Sequence, residues 1–232
     1  MTLSPEEWEI IFLSLKVSGV AVLAIMPVAF GIAWLLARVR FPGLILLDAM
    51  VHLPLVLPPV VTGWLLLLAF GNNGPAGRWF AETLGLTFMF RWTGAALAAA
   101  VMALPLMVRA MRLSIDAVDR RLEAAAETLG ASPMRVFATI TLPLALPGLL
   151  AGLVLGFARS LGEFGATITF VSNIPGETRT LPIAIYSALQ VPGTEEVVTR
   201  LSLIAVALSL AALITSEVLT RRAAGGRGVH GF

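Results

Sequence analysis

Residues 10–37 read IIFLSLKVSGVAVLAIMPVAFGIAWLLA and contain a single charge, Lys16. A helix needs about 20 consecutive apolar residues to cross the hydrocarbon core of a bilayer. This run is long enough to do so. Its entry is also helical in character. In Ser4-Pro5-Glu6-Glu7, Ser4 can cap, Pro5 suits the first helical position and Glu7 sits where a capping-box carboxylate belongs. Trp8 then falls at headgroup level. Met1–Glu9 carries three acidic residues and no basic one. A signal peptide needs a positive start and a short apolar core, so the run reads as a retained transmembrane helix.

Composition extends this reading to the whole chain. Of 232 residues, 58% are hydrophobic and 13% charged, and the mean hydropathy is +0.91. Soluble domains carry about 25% charged residues. The chain therefore reads as one membrane domain over 1–232. It has no cysteine, which excludes disulfides, thiolate nucleophiles and cysteine-based metal sites. Its two histidines, His52 and His230, are far apart in sequence and do not suggest a metal site. The net charge is +2, with no basic stripe interleaved with aromatics to favour nucleic acid.

Four further spans follow. Leu44–Phe70 contains Pro54, Pro58 and Pro59. Prolines remove backbone donors and bend helices. In lipid the freed carbonyls need partners, so this span is expected to be broken, or to face protein and a cavity. Gly71-Asn72-Asn73-Gly74-Pro75 is a turn signal within a loop over 71–87. Phe88–Val108 is the third span, and Val136–Ala158 the fourth, with a continuation towards Val171. Residues 172–198 are polar, and their apolar piece Leu181–Leu189 is too short to cross. Val197–Thr220 is the fifth span, ahead of a glycine-rich basic tail, Arg221–Phe232. The expected fold is all-α, a polytopic membrane bundle of about five helices. One set of loops holds ten arginines and the other four. By the positive-inside rule this places the N-terminus outside and the C-terminus in the cytoplasm.

The longest charged stretch, 109–135, lies on the cytoplasmic side in this scheme. Within a cytoplasmic loop at about 114–135, Ser114–Met134 reads as two short helices joined near Gly130. Leu122, Ala125, Ala126 and Leu129 recur at helical spacing as an apolar face of small residues, with Arg120, Arg121, Glu123 and Glu127 on or beside the other face. Gly130 permits a tight turn and Pro133 suits a helix start. The face can receive another protein, or it can pack on its own bundle. Arg159 and Glu163, four apart, would share a helix face and pair. Each charge costs roughly 2.5–3.5 kcal/mol at mid-bilayer on insertion scales. Such a pair is either a pathway wall or a structural tie. Lys16, Asp48, His52 and Glu217 read as snorkelling or helix-end residues. A nucleotide-binding P-loop needs G-x-x-x-x-G-K-[ST]. Lys16, inside an apolar run, is the only lysine, so the chain cannot bind and hydrolyse ATP in that manner by itself.

Ala124-Ala125-Ala126-Glu127-Thr128-Leu129-Gly130-Ala131-Ser132-Pro133, with Ile140-Thr141-Leu142-Pro143, resembles the coupling loop of bacterial binding-protein-dependent ABC importer permeases. That pattern is Glu-Ala-Ala, three free positions, Gly, nine free positions, Ile, one free position, Leu-Pro. Gly130, Ile140, Leu142 and Pro143 match it, and Ala124 stands at the Glu position. Leu53–Val61, Arg159–Thr167 and Ser172–Pro182 are similar to the molybdate branch, the middle one also to sulfate permeases. The resemblance implies the MetI-like permease fold with a cytoplasmic coupling helix. It implies import of molybdate or tungstate without catalysis in this chain. Its implied partners are a second copy, two ABC ATPase subunits and a periplasmic molybdate-binding protein. The implied coupling residues are Leu122, Glu123, Ala125, Ala126, Glu127, Leu129, Gly130, Ala131 and Arg135. Pro58, Pro59, Arg159, Glu163 and Thr167 are the implied pathway residues. A sulfate or thiosulfate permease and a gradient-driven secondary anion transporter are the rival expectations.

Overall fold

The structure, a computed structural model, describes residues 3–225. Helix α1, Pro5–Arg38, begins as the capping residues require. The Glu7 N–H donates to Ser4 Oγ at 3.2 Å, and the Ser4 N–H donates to Glu7 Oε2 at 2.7 Å. Beside it lies α5, Trp92–Asp116, running in the same direction. Leu13, Val17 and Ala21 of α1 share a core with Ala95–Met102. Val22, Ala29, Ala33 and Leu36 share one with Met107, Met111 and Ile115. The alanines of α5 keep these axes close. With no hydrophobic effect between helices in lipid, such close van der Waals packing is what holds them.

The fourth span is one continuous rod of α7 (Pro133–Val136), a π-turn (Phe137–Thr141) and α8 (Leu142–Leu161). It runs antiparallel to α5: Ala145 packs near Ile115 at one end, and Ser160 Oγ donates to the Ala99 carbonyl at the other. Gly148, Gly152 and Gly156 form a stripe along α8, facing Ser114, Met107 and Met111 of α5. Helix α11, Glu195–Gly225, returns towards the α8 start. Its beginning is tied to α1 by Leu201 packing on Ile10 and by Arg200 Nη2 to Glu7 Oε1 at 3.0 Å.

The second span is broken into α2 (Leu44–Val56) and α3 (Pro59–Phe70), bent by 116°. A proline forces the residue before it into extended geometry, and two in succession do so twice. Leu57 has ψ 143° and Pro58 ψ 133°. Four described helices are long and apolar enough to cross a membrane, five if the bent pair counts as one span. No strand occurs among the described residues. The all-α bundle of about five spans therefore stands.

Several boundaries differ from expectation. The third span starts at Trp92 and runs on to Asp116, so Ser114–Asp116 belongs to it and not to the loop. Arg112 is accommodated because it pairs with Asp48 at 3.3 Å and Asp116 at 3.7 Å. The fourth span does not continue to Val171. It ends at Leu161, and α9, Gly165–Val171, is a separate helix. The loop over 71–87 contains α4, Pro75–Leu84, whose Phe80 packs between Phe70 and Phe88. Leu181–Leu189 is a short helix, α10. The basic tail falls outside the described residues from 226 onward; before that, Arg221 pairs with Glu217 at 2.6 Å.

Candidate functional site

Two features stand out, one at the end of the bundle and one within it. At the end, α6 (Arg120–Thr128) is capped by Asp119, whose Oδ1 accepts the Arg121 N–H at 2.9 Å. It closes in a Schellman turn. The Gly130 N–H donates to the Glu127 carbonyl at 2.9 Å, and the Ala131 N–H to the Ala126 carbonyl at 3.0 Å. Gly130 has φ +86°, a region that a residue with a Cβ enters only at a cost. Ser132 and Pro133 then start α7. Leu122, Ala125 and Leu129 point away from the bundle, Leu129 being 88% exposed, beside exposed Met134 and Arg135.

Glu123 departs from the expected face. It turns inward, where Arg38 donates from Nη1 to Oε2 and from Nη2 to Oε1, both at 2.9 Å. Thr141 Oγ1 donates to Oε1 as well. Ala126 lies half-buried on the same side. Glu127 lines a cleft of about 190 Å³ with Trp34, Arg38, Glu123 and Phe137.

Inside the bundle, the corner of the broken second span meets the turn that follows the fourth. A Cβ on Gly165 would touch Pro59 Cβ at 2.7 Å, so α9 crosses the α2–α3 corner with no room between. Arg159 and Glu163 do pair, at 2.8 Å, but not on one helix face. Arg159 lies in the last turn of α8, whereas Glu163 lies past its C-cap. Its Oε1 accepts the Ala166 N–H at 2.8 Å, so the carboxylate caps α9 while its other oxygen holds Arg159. The Glu163 side chain is 2% exposed and that of Arg159 27%. Pro58, Pro59 and Gly162 are exposed on the surface of the chain, whereas Thr167 is buried among the helices. The structure thus gathers Pro59, Arg159, Glu163 and Gly165 at one crossing.

Three participants lay beyond the sequence reading. Thr141 and Arg38 converge on Glu123 from distant positions, with no local signal. Tyr186, the only tyrosine, packs against Phe164 at 4.9 Å between ring centroids, with the rings tilted by 48°. The glycine stripe of α8 did carry a signal, its spacing of four.

A bundle of apolar spans that displays a short capped helix at one end, and carries a proline-broken span crossed by the short helix α9, has the build of a membrane transport permease. The chain belongs to the binding-protein-dependent transport system inner membrane component family, whose model matches residues 25–225. It is 58% identical over 221 residues to the molybdenum transport system permease protein ModB of Escherichia coli K12, covering 95% of this chain and 96% of that one. It is 60% identical to the ModB of Haemophilus influenzae, covering 90% and 92%. Among solved structures, a bacterial ABC transporter importing alginate superposes with a TM-score of 0.72 at 19% identity, covering 95% of this chain and 80% of that one. The inward-facing MetNI methionine ABC transporter does so with 0.72 at 17%, covering 96% and 99%. At these identities the likeness is one of fold, and the fold is that of ABC importer permeases.

Proposed function

We propose that this chain is the membrane-spanning subunit of an ATP-driven importer of molybdate. The observation that carries the reading is identity of 58% and 60%, over nearly the whole chain, with molybdenum transport permeases. A sulfate transport permease of E. coli is 41% identical over 69% of the chain, which favours molybdate over sulfate.

Molybdate is a tetrahedral dianion, and an uncompensated charge in hydrocarbon costs tens of kcal/mol. Its path must be wet or polar. About five helices are too few to enclose such a path within one chain. Two copies about a two-fold axis enclose one, with the exposed Pro58, Pro59 and Gly162 corner turned towards it. Arg159 is neutralised by Glu163, so the wall there is polar without net charge. It lets the anion pass without holding it, and selection is left to a periplasmic binding protein.

The chain catalyses nothing. The bundle end bearing α6 faces the cytoplasm, and the N-terminus faces outside. Each of two ATPase subunits grips the exposed Leu122–Ala125–Leu129 stripe and the Gly130 turn. Closure of the ATPase pair on ATP, which they bind with Mg, shifts these loops and opens the dimer outward; hydrolysis resets it.

The test is uptake by proteoliposomes containing this chain with its ATPase subunit and binding protein. Molybdate should accumulate only with ATP, and uptake without ATP or without the ATPase subunit would reject the reading. Gly130→Pro removes the N–H given to Glu127 and cannot adopt φ +86°. It should abolish co-purification of the ATPase subunit while the bundle still inserts. Unchanged assembly and uptake would disprove the grip.

A further inference from the structure

Helix α6 has no buried residue. Apolar packing therefore does not hold it to the bundle, yet a helix that transmits force must be held. The attachment is polar: Arg120 Nη2, on the exposed side, donates to the Ala37 carbonyl at 3.3 Å, and the remaining, part-buried bonds converge on one carboxylate. Arg38, at the end of α1, grips Glu123 with both guanidinium nitrogens at 2.9 Å. A two-point fork fixes direction as well as distance. The side chains are only 12% and 17% exposed. Arg38 also reaches the Ile115 carbonyl near the end of α5, at 3.4 Å. The third donor to Glu123, Thr141, comes from the fully buried side of the fourth span.

Thr141 owes its position to the π-turn. A proline cannot donate and its ring crowds the carbonyl four residues back, so Pro143 disfavours regular winding over the preceding turn. The turn widens instead. The Leu142 N–H bonds five residues back to Phe137, and the register slip sets Thr141 facing α6. π-bulges of this kind recur at functional positions.

We propose that Glu123 is a positioning residue that locks α6 to α1, α5 and α8, so that a push on α6 moves the three long helices as one body. The proposal rests on the reading of α6 as the face gripped by an ATPase subunit. It adds that the grip and the lock are different residues on opposite sides of the same helix, Leu122 and Leu129 outward and Glu123 inward.

The whole transporter, reconstituted with binding protein, separates grip from lock by two readouts: ATPase subunit retained on purification, and ATP hydrolysed per molybdate imported. Glu123→Ala should retain the ATPase subunit while ATP consumed per molybdate rises about tenfold, and Thr141→Val should raise it by a smaller factor of about two to three. The exchange Arg38→Glu with Glu123→Arg should return the ratio to within about threefold of the unaltered chain, the signature of a direct pair in a mutant cycle. A ratio unchanged in Glu123→Ala overturns the lock. So does loss of the ATPase subunit that the exchange fails to restore, which would place Glu123 in the grip itself. Leu129→Asp is the control on the grip and should lose the ATPase subunit. Retention there would overturn the docking reading, and the lock with it, by a different signature.

Discussion

At the scale of single residues, the most consequential side chain inside the bundle is Glu163. Its carboxylate is buried and has two described partners, the Arg159 guanidinium and the Ala166 N–H. Removing one partner of a buried pair costs about 3–5 kcal/mol, because the other charge is left uncompensated. Arg159 is partly exposed, so water recovers some of this. Arg159→Ala should therefore lower the melting temperature of the detergent-solubilised protein more than Glu163→Gln, which keeps an acceptor for Ala166 and buries no charge. If Glu163→Gln melts lower, the carboxylate is not held by Arg159 in the way described. The spacing of four made the pair legible in sequence. That Glu163 caps α9 was not, because the capped helix begins only where the chain has turned back on Pro59.

At the scale of elements, the α5–α8 contact is set by how much space each glycine of the stripe leaves. A Cβ on Gly148 falls on the Ser114 side chain, which is short and anchored by its hydrogen bond to the Ala145 carbonyl. On Gly152 it meets the Met107 carbonyl and Met111 Cγ at 3.3 Å, and on Gly156 Met107 Cγ and Sδ at 2.7 Å. Methionine can move aside. Overpacking a tight contact costs about 1–3 kcal/mol. Gly148→Ala should fall in that range by thermal unfolding, with Gly152→Ala and Gly156→Ala closer to neutral. Equal effects at all three would mean that the helices separate as rigid rods. The proline break in the second span was readable from Pro58-Pro59. The break after Leu161 was not, since Gly162-Glu163-Phe164 carries no proline and sits in an apolar stretch that could have continued as helix.

At the scale of the whole molecule, direction in the membrane is the property to test. The chain has no cysteine, so single cysteines report sidedness without background. Thr128→Cys, at the exposed end of α6, should react with an impermeant maleimide in inside-out vesicles and not in intact spheroplasts. Gly193→Cys, in the exposed turn before α11, should do the reverse. Labelling of Thr128→Cys from outside would invert the topology and detach α6 from any cytoplasmic motor.

The apolar runs, the prolines and the loop motif by themselves determined the class of fold, the number of spans and the position of the displayed helix, because each is written in consecutive residues. Tertiary structure alone decided which side of α6 is free and which is tied. Glu123 and Glu127 look alike in sequence, yet only Glu123 meets Arg38 and Thr141, whose approach depends on the parallel packing of α1 with α5 and on a π-turn one span later. A carboxylate's role follows from the donors that surround it, and those donors come from parts of the chain that only packing brings together.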